Sequence, residues 1–178
     1  MNFSFRERLA FSVDARGQED IDIITRCHNG SIAIEKADTQ DDISGVDYFV
    51  TLDSGVQVKW DVKRRDIGCS RFWKSGPELA LETWSDMERG RIGWTLDREK
   101  ETDYILFAFD PSDHDRAYAI PFQHLRAAFN ANGPDWYKRY RHEKQSSREN
   151  GREWVSECVF IPIHEVLDAI NSQMVREA

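Results

Sequence analysis

The chain has 178 residues, of which 40% are hydrophobic and 12% aromatic, and its formal net charge at pH 7 is −8. This length suits one domain, and the six Trp and ten Phe residues exclude wholesale disorder. No apolar run approaches the roughly 20 residues that a membrane span needs, and the N-terminus lacks the apolar region of a signal peptide. We therefore expect a protein of the host-cell cytoplasm that makes no membrane contact.

The cysteines and histidines indicate neither a zinc site nor a disulfide framework. Cys27, Cys69 and Cys158 are odd in number and widely spaced, with no C-x-x-C pair. The five histidines show neither H-x-x-x-H nor H-x-E spacing. Reduced cysteines are the better interpretation.

In chain order, the first predicted elements are helices at residues 3–12 and 19–27, the second of which ends at Asn29-Gly30. Residues 31–37 alternate as a strand does, and an acidic loop at 38–44 follows.

Residues 45–65 have the pattern of a β-hairpin, with Asp53-Ser54-Gly55 as its turn. One face is apolar and is expected to be buried: Tyr48, Val50, Leu52, Val58, Trp60 and Val62. The opposite face is polar and charged: Asp47, Gln57, Lys59, Asp61 and Lys63.

The register of this hairpin follows from the burial of its apolar face. If the chain folds about Ser54, Asp47 lies opposite Asp61. A slip by one residue would mix the two faces, while a slip by two would keep both carboxylates on one face. Two acids this close repel each other, so removing the charge of Asp61 should relieve repulsion. The predicted compensator is a divalent cation, Mg²⁺ or Mn²⁺, with Asp47 and Asp61 as its ligands.

This arrangement resembles the PD-(D/E)xK nuclease superfamily. An Asp opens one strand, a short hairpin follows, and D/E-x-K stands on the next strand, here as Asp47 and Asp61-Val62-Lys63. Val46 stands where the motif usually has Pro. Beyond this motif, residues 44–129 are similar to small uncharacterised phage or prophage proteins of that superfamily. The resemblance implies a restriction-endonuclease-like α/β fold and a metal-dependent DNA endonuclease.

The resemblance also implies roles for individual residues. Asp47 and Asp61 would hold the metal, and Lys63 would position or activate water, with Lys59 as the substitute if the register differs. Some members of the superfamily carry a further acid on the first helix, where Glu19 or Asp20 could serve. Glu82 is an additional catalytic candidate, because a carboxylate in the apolar run at 78–84 is either paired or functional.

The rest of the chain supplies further strands and helices. Residues 102–109 are predicted to be a central strand. Residues 118–129 and 159–170 both have the pattern of a strand, a Pro and a helix. We expect a mixed sheet of about five strands flanked by helices, with strands near 31–37, 47–52, 56–63, 79–84 and 103–109. The single domain would comprise a nuclease-like core at 18–131 and a basic segment with a strand and helix at 134–178.

Two basic segments offer DNA contacts despite the acidic balance. Residues 59–74 carry six bases and two acids, and residues 134–152 carry six bases and three acids. The predicted nucleic-acid contacts are Arg64, Arg65, Lys138, Arg139 and Arg141. The alternative for 59–74 is a solvated face. The alternative for residues 135–152 is a helix whose aromatic residues pack on the core, followed by a flexible basic loop.

Two other functions compete with the nuclease. One is a non-catalytic nuclease-fold protein that binds a partner, such as a phage factor that engages a host protein; the negative net charge favours it. The other is a surface salt-bridge ladder of Asp47, Asp61 and Lys63 with no chemistry. The sequence leaves open a homodimer and a protein partner.

Overall fold

The computed structural model describes residues 17–28, 31–38, 45–114, 116–149 and 151–177. The helix expected at 3–12 and most of the acidic loop at 38–44 lie outside the described residues. Within them the chain is a mixed α/β protein with three α-helices: α1 (Gly17–Cys27), α2 (Phe122–Arg139) and α3 (Ile163–Glu177).

The chain divides into two compact units, each assembled from separated stretches of sequence. The first unit comprises the described residues up to Arg71 together with Glu99–Gln123, and the second comprises Phe72–Arg98 and the described residues from His124 onward. The predicted boundary between 131 and 134 falls inside α2.

A five-stranded mixed sheet and α1 form the first unit. The strands in spatial order are β1 (Ser31–Lys36), β2 (Tyr48–Leu52), β3 (Gln57–Arg64), β6 (Tyr104–Ala108) and β7 (Tyr118–Pro121). β3 and β6 run parallel, and the other neighbouring strands are antiparallel. The expectation of a five-stranded mixed sheet is therefore confirmed.

The β2–β3 hairpin has the predicted register. Tyr48 pairs with Trp60 and Val50 with Val58, so the hairpin folds about Ser54. Gly55 has a φ of +80°, which glycine adopts without the steric cost of a Cβ atom. The Leu52 N–H donates to the Val56 carbonyl at 2.9 Å and closes the turn.

The apolar face of the hairpin packs against α1: Tyr48, Val50 and Trp60 are buried as predicted. Leu52, Val58 and Val62, which were also expected to be buried, are only partly so and pack against the same cluster. The buried cluster consists of Ile24, Tyr48, Val50, Trp60 and Leu106. The Trp60 ring stacks on that of Tyr104 with centroids 4.9 Å apart, and its indole N–H donates to His28 Nε2 at 3.1 Å. A large aromatic side chain buried with its polar atom hydrogen-bonded is a strong local anchor.

A second sheet, together with α2 and α3, forms the second unit. Its antiparallel strands in spatial order are β5 (Arg91–Ile92), β4 (Glu78–Asp86), β9 (Arg152–Pro162) and β8 (His142–Glu149). The strand predicted near 79–84 exists, but its place in the first sheet was wrong. It pairs with β9 instead, and β7 is the fifth strand of the first sheet.

The flexible basic loop expected after the aromatic segment was also wrong, because those residues form β8. β8 pairs with β9 as a hairpin along one of its edges, and Gly151, with a φ of +76°, lies in the turn. An edge strand with mostly exposed polar side chains carries no apolar alternation from which it could be predicted.

Both strand–Pro–helix units are confirmed. Pro121 ends β7 directly before α2, and Pro162 ends β9 directly before α3. Proline has no backbone N–H to donate to a neighbouring strand. The residue after each proline, which is the first of the helix, donates its own N–H to a carbonyl outside the helix. Phe122 donates to Asp103 O and Ile163 to Pro77 O, both at 2.8 Å.

Candidate functional site

The hairpin brings Asp47 and Asp61 side by side. The Asp47 N–H donates to the Trp60 carbonyl at 2.7 Å, and the Val62 N–H donates to Asp47 Oδ2 at 2.6 Å. Asp47 is therefore held against the stretch of β3 that carries Asp61. Lys63 lies two residues after Asp61 on the same strand and projects from the same face.

Two lysines neutralise Asp61, which is only 1% exposed. Asp61 Oδ1 lies 2.7 Å from Lys63 Nζ, and Asp61 Oδ2 lies 2.7 Å from Lys100 Nζ. We call Asp47, Asp61, Lys63 and Lys100 the acid–lysine cluster. The salt-bridge ladder considered from the sequence is wrong in one respect, because Asp61 lies in the interior and not on the surface.

Lys100 is the member of the cluster that sequence reasoning missed. Its side chain is 3% exposed, and Nζ also donates to the Gly45 carbonyl at 2.8 Å. The Thr102 hydroxyl donates to the same carbonyl. Gly45 has a φ of +82°, and a Cβ atom there would overlap Lys100 Nζ. Gly45 is thus required both for its backbone conformation and for the close approach of the lysine.

The two aspartates have opposite pKa shifts. Burial disfavours the ionised form of Asp61, but the ammonium groups of Lys63 and Lys100 outweigh it and hold the pKa of that carboxyl below its usual range. Burial and the neighbouring Asp61 raise the pKa of Asp47 to about 7, against the opposing effect of Lys63 and the Val62 N–H. Near neutral pH, Asp61 is ionised while Asp47 is poised to take up or release a proton.

Arg64 lies on the other face of β3, because adjacent residues of a strand point in opposite directions. Its guanidinium is 2.5 Å from Asp20 Oδ1 and 3.3 Å from Glu19 Oε2, and its side chain is 6% exposed. The Tyr48 hydroxyl contacts Asp20 at 3.5 Å. Glu19 and Asp20 therefore meet Arg64 on the α1 side of the sheet and not Asp61. Arg65, the neighbouring predicted contact, is partly buried, and its backbone N–H donates to Ala108 O at 2.9 Å.

Glu82 lies on β4 of the second unit, whereas the acid–lysine cluster is built wholly within the first. Its Oε2 accepts the Trp94 N–H at 3.4 Å. Gly93 donates its N–H to Thr83 O at 2.8 Å, and a Cβ on Gly93 would overlap the Glu82 backbone. The close approach that places Trp94 beside Glu82 therefore depends on Gly93.

Two of the basic residues of 134–152, Arg139 and Arg141, are held by acids and rings of the second unit. Arg139 pairs with Asp135 at 3.1 Å and Glu165 at 3.0 Å. Arg141 pairs with Glu78 at 3.1 Å and Glu143 at 2.5 Å, and its guanidinium lies 3.7 Å from the centre of the Phe160 ring.

Lys138, between these arginines and the aromatic residues, is exposed on α2. Trp136 is buried, and the Tyr137 hydroxyl donates to Glu157 Oε2 at 2.9 Å, so these aromatic residues pack inward as the alternative interpretation expected. The assignment of Lys138, Arg139 and Arg141 to DNA contact stays a prediction.

The carboxylate oxygens of the cluster are the type of ligand that a hard cation prefers, but the cluster has only two carboxylates. Within the described residues no group of three or more His, Cys, Asp and Glu side chains could hold a metal ion. Mg²⁺ commonly uses only one or two protein carboxylates and completes its shell with water and phosphate oxygens, so Asp47 and Asp61 meet the minimum. Both oxygens of Asp61 face lysines, so a cation would have to displace an ammonium group. Lys63, whose side chain is 32% exposed, can move into solvent more easily than Lys100.

Comparison with protein-family models, with curated proteins and with solved structures finds no match for this chain. The resemblance to the PD-(D/E)xK superfamily thus stays an expectation from the sequence, based on the hairpin motif and on the likeness over residues 44–129. In the part of the chain that the structure describes, no helix is long and apolar enough to cross a membrane.

Proposed function

We propose that this chain is a Mg²⁺-dependent DNA endonuclease, or a related DNA-processing phosphodiesterase, whose site is the acid–lysine cluster. The observation that carries the proposal is the position of Asp47 beside Asp61 on one hairpin, with Lys63 on the same face of β3. The element order is in keeping with a restriction-endonuclease-like core, since α1, β1, β2 and β3 precede a strand that runs parallel to β3.

In this proposal Asp47 and Asp61 would hold the cation, and the chemistry that it would supply there is Lewis-acid activation of water and neutralisation of charge on the phosphate. Lys100, buried against Asp61, keeps that carboxylate ionised and therefore able to act as a ligand. Asp47, whose pKa is raised to about 7 by burial and by Asp61, would have to be deprotonated to serve as a ligand. Lys63 donates hydrogen bonds to the attacking water or to a phosphate oxygen.

The direct test is thermal melting with and without Mn²⁺, together with nicking of supercoiled plasmid in Mg²⁺. A ligand at a hundred times its dissociation constant stabilises the folded state by about 2.7 kcal/mol, so the wild type should melt higher in Mn²⁺. Asp61→Asn should lose that Mn²⁺ effect and the nicking. Lys63→Ala should keep the Mn²⁺ effect but lose the nicking.

Matched controls are available on exposed parts of the chain. Asp53→Asn removes a carboxylate at the hairpin turn, and Lys74→Ala removes an exposed lysine of the same basic segment. Both should behave as the wild type does. A wild type that neither melts higher in millimolar Mn²⁺ nor nicks plasmid would overturn the catalytic proposal.

A non-catalytic binding protein of the same fold is the second candidate. The observation in its favour is that Lys63 and Lys100 already neutralise Asp61 without a cation, so the cluster can be purely structural. The net charge of −8 also suits a protein partner better than DNA. Absence of both the Mn²⁺ effect and nicking would favour this function.

A further inference from the structure

A cavity of about 300 Å³ lies in the first unit, between α1 and the residues that end and follow β6. Its volume is at the lower end of the range of small-molecule sites, roughly 300–1,000 Å³. Ile23 of α1 contributes apolar surface, as do Ala108 and Phe109 at the end of β6. Charged side chains line it as well, from α1 and from the loop before β7.

This cavity is distinct from the acid–lysine cluster. α1 packs on the face of the sheet that carries Trp60 and Leu106, and Ala108 shares that face because it is two residues beyond Leu106. Asp61 and Lys63 project from the opposite face of β3. An inference about the cavity therefore does not depend on the proposed nuclease function.

The charges that line the cavity favour an anion. Arg26, from the last turn of α1, and Arg116, from the loop before β7, both line it and both are exposed. Its one lining carboxylate, Glu19, is 3.3 Å from Arg64, a guanidinium that Glu19 shares with the closer Asp20. Two arginines against one glutamate make the lining net positive, in a protein whose net charge is −8. Arginine binds phosphate oxygens with paired, directional hydrogen bonds.

Two aromatic rings, those of Phe109 and His114, also line the cavity and are held in place. The Phe109 and His114 rings meet edge to face with centroids 5.5 Å apart. His114 in turn stacks on Tyr118 at 5.7 Å, and its Nε2 is 2.8 Å from the Tyr118 hydroxyl. A fixed aromatic surface beside an apolar side chain favours a flat ring, since little conformational entropy is lost when the ligand binds.

We propose that this cavity binds a small phosphate ester carrying a flat ring, the chemical class of a nucleoside monophosphate. Arg26 and Arg116 hold the phosphate, and Phe109 and Ile23 contact the ring. Glu19 accepts a hydrogen bond from a hydroxyl or amino group of the ligand. The anion, the hydrogen-bond donors and the planar ring of a nucleotide are thus each matched by a group that lines the cavity.

The test is isothermal titration of the whole chain with adenosine monophosphate, adenosine and inorganic phosphate. The double variant Arg26→Gln/Arg116→Gln removes the two cations that line the cavity. The matched control, Arg91→Gln/Arg98→Gln, removes two exposed arginines of the second unit. All four positions are exposed, so both double variants should fold, which circular dichroism checks.

The wild type should bind adenosine monophosphate with a Kd at or below about 1 mM, and each fragment at least about tenfold more weakly. The Arg26/Arg116 variant should lose at least about tenfold in affinity, and the control less than about twofold. No binding of the nucleotide at about 10 mM would overturn the proposal. The proposal would also be overturned if adenosine bound as tightly as adenosine monophosphate, or if the two double variants lost the same affinity for the nucleotide. None of these results depends on Mn²⁺ binding or plasmid nicking, so the two proposals can fail separately.

Discussion

Asp61 and Lys100 form an ion pair of 2.7 Å in which the side chains are 2% and 3% exposed. Removal of one member of a buried ion pair leaves an uncompensated charge in the interior, which commonly costs more than the pair itself contributes. The stability of the first unit therefore depends on a contact between β3 and a residue that lies just before β6.

Lys100→Met is expected to destabilise the protein by about 3 kcal/mol, because the remaining lysine only partly offsets the charge of Asp61. The matched control is Lys59→Met, which removes another lysine of the cluster's face of β3, one that is 31% exposed and pairs with the exposed Glu101. That exposed pair should contribute far less. Urea unfolding of both variants measures the difference, and equal losses would show that burial does not strengthen the Asp61–Lys100 pair.

Asp61→Asn should also destabilise the protein in the absence of metal, contrary to the relief of repulsion expected from the sequence. The sequence predicted Lys63 near Asp61 but not Lys100. The substitution leaves Lys100 buried without its partner. The double variant Asp61→Asn/Lys100→Met should cost less than the sum of the single changes, by about 1–3 kcal/mol. A double-mutant cycle from urea unfolding checks this, and strict additivity would contradict the coupling.

The stability contributed by Asp47 should fall as pH rises from about 4 to 7. Its pKa in the folded protein, about 7, lies above its ordinary value of 3.8, so the folded state retains a proton that the unfolded state has lost. The contribution is therefore fully present below pH 4 and is lost as pH rises through about 7. A shift of this size corresponds to on the order of 4 kcal/mol.

Asp47→Asn isolates this effect, because an amide has no proton to lose in that range. The difference in unfolding free energy between the variant and the wild type should grow in favour of the variant from pH 4 to pH 8. Asp53→Asn, at the exposed turn, should show no such trend. A pH-independent difference for Asp47→Asn would mean that this carboxyl titrates normally in the folded protein.

Gly45→Ala and Gly55→Ala form a matched pair with nearly equal backbone angles, φ +82° and +80°. A Cβ on Gly55 meets nothing within 4 Å, whereas one on Gly45 would overlap Lys100 Nζ. Gly55→Ala should therefore show only backbone strain, about 1 kcal/mol or more. Gly45→Ala should cost distinctly more because it also displaces Lys100. Thermal unfolding measures both, and equal costs would mean that Lys100 relocates freely.

The sequence predicted the hairpin well because its determinants are local. Alternation from Tyr48 to Val62 and the turn at Gly55 specify both the faces and the register, and these are the features that a short window of sequence contains. The same logic placed Asp47 beside Asp61. Both strand–Pro–helix junctions were predictable for the same reason, since Pro121 and Pro162 act within their own segments.

The remaining features depend on contacts between distant residues. Nothing near Lys100 indicates that its ammonium group enters the interior, because its partner Asp61 is far away in sequence. The pattern of β4 predicts a strand but not which sheet it joins, and its partner β9 begins at Arg152. β8 is a polar edge strand without apolar alternation, so its pairing with the distant β9 leaves no signal within its own sequence.

The interleaving of the two units in sequence has a consequence for the newly made chain. A chain emerging from the ribosome presents β4 long before β9, its neighbour in the sheet, has been synthesised. During that interval the backbone of β4 lacks this pairing strand, and the side chains of Leu79 and Leu81, fully buried in the finished protein, lack the later segments of their unit. β3 likewise has no parallel partner until β6 has been synthesised, and β4 and β5 emerge in between. Translation speed and chaperone access are therefore expected to influence the yield of folded protein more than for a chain whose units follow one another.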